Sequence, residues 1–171
     1  MMMKRLMLAG SLVTSIVIAL SYGTARAEVR SPIGDWLTGQ GGAVVRISPC
    51  SNGAGLCGRI VGLMLDAGVP EPADYRGRPQ CGFELIRPSE QQGELWRGGI
   101  VDPRNGDRYH AEFHVTRMGE LALRGYIGLP IFGQTQHWLR YQGRVPRSCR
   151  INQAQMAQSV LPDQVNADQR D

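Results

Sequence analysis

The sequence predicts an all-β protein, an eight-stranded antiparallel up-and-down barrel, and two observations support this prediction. Short runs of alternating apolar and polar residues recur along the chain, and Gly, Pro, Asn or Asp residues separate them. Beyond the N-terminal segment, the periodicity of amphipathic helices is almost absent. Because closure removes the exposed edge strands of an open sheet, consecutive short strands joined by tight turns favour a barrel. A two-sheet β-sandwich is the alternative.

Eight segments carry the strand pattern, and the sixth shows it most clearly. In chain order they are 33–38, 43–48, 56–64, 82–87, 94–101, 107–116, 120–127 and 134–141. One face of the sixth is predicted to meet the core and consists of Tyr109, Ala111, Phe113 and Val115. The other face is predicted to meet water and consists of His110, Glu112, His114 and Thr116. Residues 102–106 form the clearest turn, because they include Pro, Asn and a Gly suited to positive φ.

The first 27 residues have the features of a secretory signal peptide. Lys4 and Arg5 form a positive start, residues 6–20 form an apolar run, and the small residues Ala25 and Ala27 flank Arg26 as at a cleavage site. We expect cleavage after Ala27, a periplasmic or secreted product, and no membrane span in the mature chain. An uncleaved membrane anchor is the alternative, although the apolar run is short for a span.

The mature chain is expected to be nearly neutral and to consist of one domain. Residues 1–27 hold three of the 19 Lys and Arg residues and none of the 15 Asp and Glu residues. No dense basic face remains for a nucleic acid, so we expect no nucleic-acid partner. Residues 28–150 are predicted to form the barrel domain. Residues 151–171 are predicted to be a polar tail that is loosely ordered or forms a short helix.

All four cysteines, Cys50, Cys57, Cys81 and Cys149, lie in the part predicted to be exported. An even number of cysteines in an oxidising compartment indicates disulfide bonds, for which three connectivities exist. We favour Cys50–Cys57, which would close a tight loop, and Cys81–Cys149, which would tie the end of the chain to the domain. Metal or redox chemistry is the alternative, although the chain has no Cys-x-x-Cys motif.

An ordered series of motifs resembles the bacterial domain-of-unknown-function family 2147, whose members are small exported proteins. The motifs are Gly34-x-Trp36, Leu56-Cys57-Gly58-Arg59-Ile60, Trp96-x-Gly98-Gly99-x-x-Asp102-Pro103, Asn105-Gly106-x-x-Tyr109, Leu121-x-Leu123-Arg124-Gly125-Tyr126-x-Gly128 and Gly133-x-Thr135-x-x-Trp138-x-Arg140. The resemblance covers roughly residues 31–141. It implies a lipocalin-like barrel and export, but no activity and no catalytic residues.

The same resemblance implies how one end of the barrel is closed. In lipocalin-like barrels an Arg from the last strand covers a Trp from the first, and here Arg140 and Trp36 match those positions. Such a cation–π contact contributes about 0.5–2 kcal/mol. Gly34 would let the backbone pass closely. These three residues are therefore expected to close the barrel.

The interior of the barrel is the expected binding site. The aromatic candidates for its lining are Trp96, Tyr109, Phe113, Tyr126 and Trp138. Five strand glycines remove side-chain volume, which either permits strand coiling or leaves a cavity: Gly58, Gly62, Gly98, Gly99 and Gly125. A hollow and a filled barrel both remain open. The Pro- and Gly-rich segment 66–80 would cover the cavity as a lid.

No catalytic constellation is evident, so we expect a non-enzymatic protein without a cofactor. His110, Glu112 and His114 could share a zinc ion, but residues two apart on a flat strand stand about 6.6 Å from each other and rarely converge. The preferred function is a periplasmic protein that binds a small apolar or amphipathic molecule. The first alternative is a filled barrel that binds an envelope protein. A metal-dependent hydrolase built on His110, Glu112 and His114 is the second.

Overall fold

The computed structural model describes residues 30–160. The predicted signal peptide and residues 161–171 of the polar tail lie outside the described residues. Within residues 30–160, the single α-helix is too short and too polar to cross a membrane.

Eight antiparallel strands form a closed up-and-down barrel, which confirms the predicted fold class. They are β1 (Gly34–Leu37), β2 (Ala43–Pro49), β3 (Leu56–Met64), β4 (Glu84–Gln92), β5 (Leu95–Val101), β6 (Arg108–Val115), β7 (Leu121–Tyr126) and β8 (Gln134–Arg140). Each strand pairs with the next, and β8 pairs with β1 through Trp36 opposite Arg140. A two-sheet sandwich would lack this closing pair.

The fourth strand differs most from its predicted bounds. The predicted strand ends at residue 87, directly before Pro88, which lacks the N–H that a ladder hydrogen bond needs. In the structure β4 continues to Gln92, because the ladder with β5 has an irregularity between Ile86 and Glu90. A bulge of this kind accommodates a proline within a strand.

The C-terminal segment packs against the outside of the barrel. A ninth strand, β9 (Arg150–Ile151), runs parallel to the end of β3, and a helix, α1 (Gln153–Val160), follows it. Ile151 is fully buried in a second apolar cluster with Leu37, Val44 and Tyr141. Leu37 and Val44 neighbour the inward-facing Trp36 and Val45 in the chain, so this cluster lies on the outer side of the sheet. The first residues of the predicted polar tail are thus part of the packed structure.

The four cysteines form the two predicted disulfides. Cys50 and Cys57, with Cα atoms 5.0 Å apart, join the β2–β3 hairpin. Cys81 and Cys149, with Cα atoms 6.1 Å apart, join the β3–β4 connection to the segment before β9. Because the hairpin and the connection lie at opposite ends of β3, each end of the barrel carries one disulfide.

Candidate ligand-binding cavity

One end of the barrel, here called the closed end, is sealed by stacked side chains. The guanidinium carbon of Arg140 lies 4.0 Å from the centre of the Trp36 ring, and Trp36 is fully buried. The indole Nε1 donates a hydrogen bond to the Pro32 carbonyl at 2.8 Å, and Arg140 Nη1 donates to the Ile33 carbonyl at 3.0 Å. Burial lowers the pKa of Arg140 from its usual value, but arginine stays protonated in proteins. Arg140 therefore keeps its positive charge over the indole ring of Trp36.

Gly34 is the residue that allows this close packing. Its φ is +139°, a conformation that residues with a Cβ rarely adopt. A Cβ at this position would also collide with the guanidinium of Arg140. The three residues predicted to close the barrel thus lie together, and each has a specific contact there.

The opposite end, here called the open end, contains a cavity of about 850 Å³. Gln134, at the start of β8, lines the cavity, whereas Arg140, at the end of β8, belongs to the closed end. The two residues are six positions apart, which corresponds to a rise of about 20 Å along the strand. The cavity wall combines apolar and polar surface in nearly equal parts, and its aliphatic residues include Val45, Ile60, Leu63, Leu85, Ile100 and Leu123. The volume falls within the range of about 300–1,000 Å³ that is usual for small-molecule sites.

The inward-facing glycines show which half of the barrel is empty. A Cβ on Gly58 would lie 2.8 Å from the Ile86 Cβ, so side chains already occupy that space. A Cβ on Gly125 would meet only Ile100 Cγ2, at 3.8 Å. The barrel is thus filled near Gly58 and hollow near Gly125.

Two glutamines line the cavity from β8. Gln134 and Gln136 lie opposite Gly125 and Leu123 of β7, which places both on the inner face of the sheet. Both are nevertheless exposed, which means that solvent reaches the inside of the barrel here. Gln136 Oε1 accepts a hydrogen bond from Nε1 of Trp138, which lies two residues further along β8 towards the closed end, at 3.0 Å. The wall therefore combines apolar surface with uncharged amide groups.

The charged residues of the cavity wall are confined to its rim. Among the residues that line the cavity, only Asp102 and Arg104 carry a formal charge, and their side chains form an ion pair at 2.6 Å. The hydrogen bond from the Arg104 side chain lowers the pKa of Asp102, against the opposing effect of its partial burial. An ion pair at the mouth and no charged residue deeper suits a molecule with one polar end.

The β3–β4 connection, residues 65–83, forms part of the cavity wall and is here called the rim loop. Its Asp74 is buried, and the carboxylate accepts hydrogen bonds from the backbone amides of Arg76 and Arg78 at 2.8 and 2.9 Å. Burial opposes ionisation of Asp74, but the hydrogen bonds from the Arg78 backbone and side chain and the Arg76 amide outweigh it and lower the pKa. The Tyr75 amide donates to the Pro103 carbonyl at 2.8 Å.

Further contacts tie the rim loop to the C-terminal segment. The Cys81–Cys149 disulfide is one, and Arg150 Nη2 donates to the Val69 carbonyl at 2.7 Å. Segment 66–80, predicted as a lid, contributes Pro72 and Gln80 to the cavity wall and is tied to the C-terminal segment by these contacts.

The family follows from a comparison of the sequence with known protein families. The model of the family described as "Uncharacterized protein conserved in bacteria (DUF2147)" matches residues 34–140. The chain belongs to the DUF2147 family. This match confirms the resemblance found in the sequence motifs. No curated protein shows significant similarity to the chain.

A solved structure shares the fold of this DUF2147 member. Protein HP1028 from the human pathogen Helicobacter pylori, described as belonging to the lipocalin family, superposes with a TM-score of 0.53. The two sequences are 14% identical, and the match covers 75% of this chain and 97% of that protein. At this identity the similarity establishes a lipocalin-like fold and nothing about the ligand.

The five aromatic residues predicted to line the pocket of this DUF2147 barrel occupy three different positions in the structure: the cavity wall, the filled half and the outer face. Tyr109 and Trp138 border the cavity. Trp96 and Phe113 face the interior but stack on each other in the filled half, with ring centres 6.5 Å apart and planes 13° apart. Tyr126 also borders the cavity, but its ring stacks on His110, 5.4 Å away, on the outer face.

The three residues weighed as zinc ligands lie on the outer face of β6. His110 stacks on Tyr126, and the Glu112 carboxylate accepts a hydrogen bond from Arg97 at 3.4 Å. Among residues 30–160, no three His, Cys, Asp or Glu side chains are grouped as metal ligands would be.

Sequence reasoning missed two features of the open end. Gln134 and Gln136 could have been found, because they alternate with the inward-facing Trp138. The second feature is an exposed apolar segment between β7 and β8, residues 127–133. Its unusual composition for a turn was the available signal.

Proposed function

We propose that this DUF2147 protein is a periplasmic, non-enzymatic binding protein that holds a small amphipathic molecule in the open half of the barrel. The observation that carries the proposal is the solvent-accessible cavity of about 850 Å³. A barrel that served only as a scaffold would gain stability by filling this space with side chains. The empty volume beside Gly125 is better explained by a ligand.

The chemistry of the wall supports an amphipathic ligand. The aliphatic side chains would contact an apolar body, and the amides of Gln134 and Gln136 offer hydrogen bonds to neutral polar groups. The Asp102–Arg104 pair at the rim would meet a polar or charged end. A fully charged molecule is disfavoured deeper in the cavity, since its charge would lose hydration without a counter-charge.

The disulfides support an exported location. Two disulfides that tie distant parts of a small domain together are typical of oxidising compartments outside the cytoplasm. The predicted signal peptide agrees with this, and the periplasm is the compartment we propose.

The proposal is tested by titrating the mature protein with a fluorescent apolar probe, N-phenyl-1-naphthylamine, and by native mass spectrometry of protein purified gently from periplasm. We expect one probe per barrel, and an adduct of a few hundred daltons that organic extraction removes. Gly125→Leu would fill the cavity, so we expect it to weaken probe binding on the order of tenfold or more.

Gly99→Leu provides a matched control on the outer face. A Cβ on Gly99 would make only ordinary contacts, the nearest at 3.5 Å from the Tyr109 carbonyl oxygen. This variant should bind the probe like the wild type. Equal binding by both variants would mean that the probe does not occupy the cavity, and the absence of both probe binding and adduct would contradict the proposal.

A further inference from the structure

The segment between β7 and β8, residues 127–133, is here called the apolar loop. It presents four large apolar side chains to solvent, and their exposed fractions are 71% for Ile127, 63% for Leu129, 76% for Ile131 and 79% for Phe132. Isolated exposed apolar residues are common on proteins, but four within six positions form a contiguous patch that indicates an interaction surface.

The apolar loop is held in this exposed conformation by hydrogen bonds from Arg124 of β7 and from its own backbone. Arg124 Nε donates to the Pro130 carbonyl at 2.7 Å, and Nη2 donates to the Ile131 carbonyl at 3.3 Å. The Gly133 amide donates to the Pro130 carbonyl at 2.9 Å. Since these bonds fix the backbone, the apolar side chains cannot easily fold back onto the barrel.

We propose that the apolar loop inserts into the surface of a phospholipid bilayer, so that the open end of the barrel faces the membrane. The loop projects single side chains from a tight turn, which the fluid interface of a bilayer can receive one by one. A protein partner would instead need a rigid surface whose shape matches the whole patch. The shape of the patch therefore favours a lipid surface.

Exposed cations beside the loop favour an anionic surface. Arg108 lies two residues before His110, which pairs with Tyr126, and so it stands near the start of the apolar loop. Arg76 is exposed on the neighbouring rim loop. Within residues 30–160, neither arginine forms an ion pair, although the Arg76 guanidinium lies over the Tyr75 ring, 4.9 Å from its centre, and each arginine could meet a lipid phosphate. Because Asp66 and Asp107 are also exposed at this end, we expect the apolar contribution to dominate.

The patch is continuous with the cavity. Ile127 and Phe132 both belong to the exposed patch and both line the cavity mouth. An apolar molecule that crossed between the bilayer and the cavity would thus pass over apolar side chains. Docking itself does not require an occupied cavity, whereas transfer of a ligand rests on the proposed function.

The test is flotation of the mature protein with unilamellar vesicles made of three parts phosphatidylethanolamine and one part phosphatidylglycerol. We expect the wild type to float with these vesicles, and to bind less well when phosphatidylcholine replaces the anionic lipid. The double substitution Leu129→Ser/Ile131→Ser should weaken the partition on the order of tenfold or more, since both side chains lie in the patch and outside the cavity wall.

Met118→Ser is the matched control, because Met118 is 85% exposed but lies in the β6–β7 turn at the closed end. It should float like the wild type. The double variant should keep its binding of N-phenyl-1-naphthylamine, which separates failure of docking from failure of the proposed cavity site. Three results would overturn the inference: no flotation of the wild type, flotation unchanged in the double variant, or self-association through the loop, seen by sedimentation velocity, in place of vesicle binding.

Discussion

At the closed end of the barrel Arg140 covers a fully buried tryptophan, whereas at the open end the same strand presents Gln134 to solvent inside the barrel. The strands are shared, and only the size and polarity of the inward residues change along them. At the closed end those residues interdigitate. At the open end buried residues such as Leu63 and Leu85 still belong to the core but border the cavity, and the polypeptide around them is held by a disulfide and by loop hydrogen bonds. The tight Trp36–Arg140 packing and the proposed binding site thus lie at opposite ends.

The largest effect we expect comes from shortening the core side chain at the closed end. Trp36→Ala should lower the free energy of unfolding by about 5 kcal/mol. This value lies at the top of the usual range for Trp→Ala in a protein core, because the contact between the Arg140 guanidinium and the indole ring is lost as well. Tyr109→Ala at the open end should cost about 1 kcal/mol, because Tyr109 is only partly buried beside the cavity. Urea unfolding followed by circular dichroism measures both. Equal losses would contradict the division between the ends.

The two disulfides should differ in the same assay. Replacing Cys81 and Cys149 by Ser should cost about 4 kcal/mol, and replacing Cys50 and Cys57 about 2 kcal/mol, since the entropy of loop closure grows with loop length. The sequence separations are 68 and 7 residues. Only the first replacement should also weaken probe binding, because it releases the rim loop. A larger loss from the hairpin disulfide would mean that strain or residual structure outweighs chain entropy.

The smallest effect is expected at Asp74, which organises the rim loop. Asp74→Asn removes the charge that the amides of Arg76 and Arg78 stabilise, so amide exchange within residues 74–78 should become several-fold faster. Because hydrogen bonding lowers the pKa of Asp74, the ionised carboxylate stabilises the folded protein. This stabilisation is complete above the usual Asp pKa of about 4 and is lost as the pH falls below that value.

The pH dependence separates this effect from general acid unfolding. Wild-type exchange in the rim loop should accelerate on acidification relative to strand β6, and the Asn variant should show no such relative change. Hydrogen exchange with mass spectrometry, corrected for intrinsic rates, measures both segments at once. An acid response that is identical in the two proteins would exclude Asp74 as its source.

The barrel itself was predictable from the sequence because strands and turns are indicated by patterns within short segments of the chain. The alternation in β6 assigned Phe113 to the core, and turn residues bounded all but one of the strands closely. The pairing of Trp36 with Arg140 was accessible only through the family resemblance, since 104 positions separate them. Alternation within one strand cannot reveal a contact across the closing seam.

The occupants of the cavity were less predictable, because they depend on register between strands. Trp96 and Phe113 face inward as expected, but only the β5–β6 register places them directly opposite each other, so that they fill space together. Tyr126 follows Leu121 and Leu123 by odd steps and therefore belongs to the outer face, which the sequence pattern already contained. The apolar loop has no alternation, so burial could not be deduced from it.

The connectivity of the disulfides bears on how an exported chain acquires them. The first cysteine is joined to the second, Cys50 to Cys57, and the third to the fourth, Cys81 to Cys149. When a chain enters an oxidising compartment from its N-terminus, an oxidant that pairs thiols in their order of emergence produces this connectivity directly. A consecutive connectivity of this kind can therefore form without the exchange of wrongly paired disulfides.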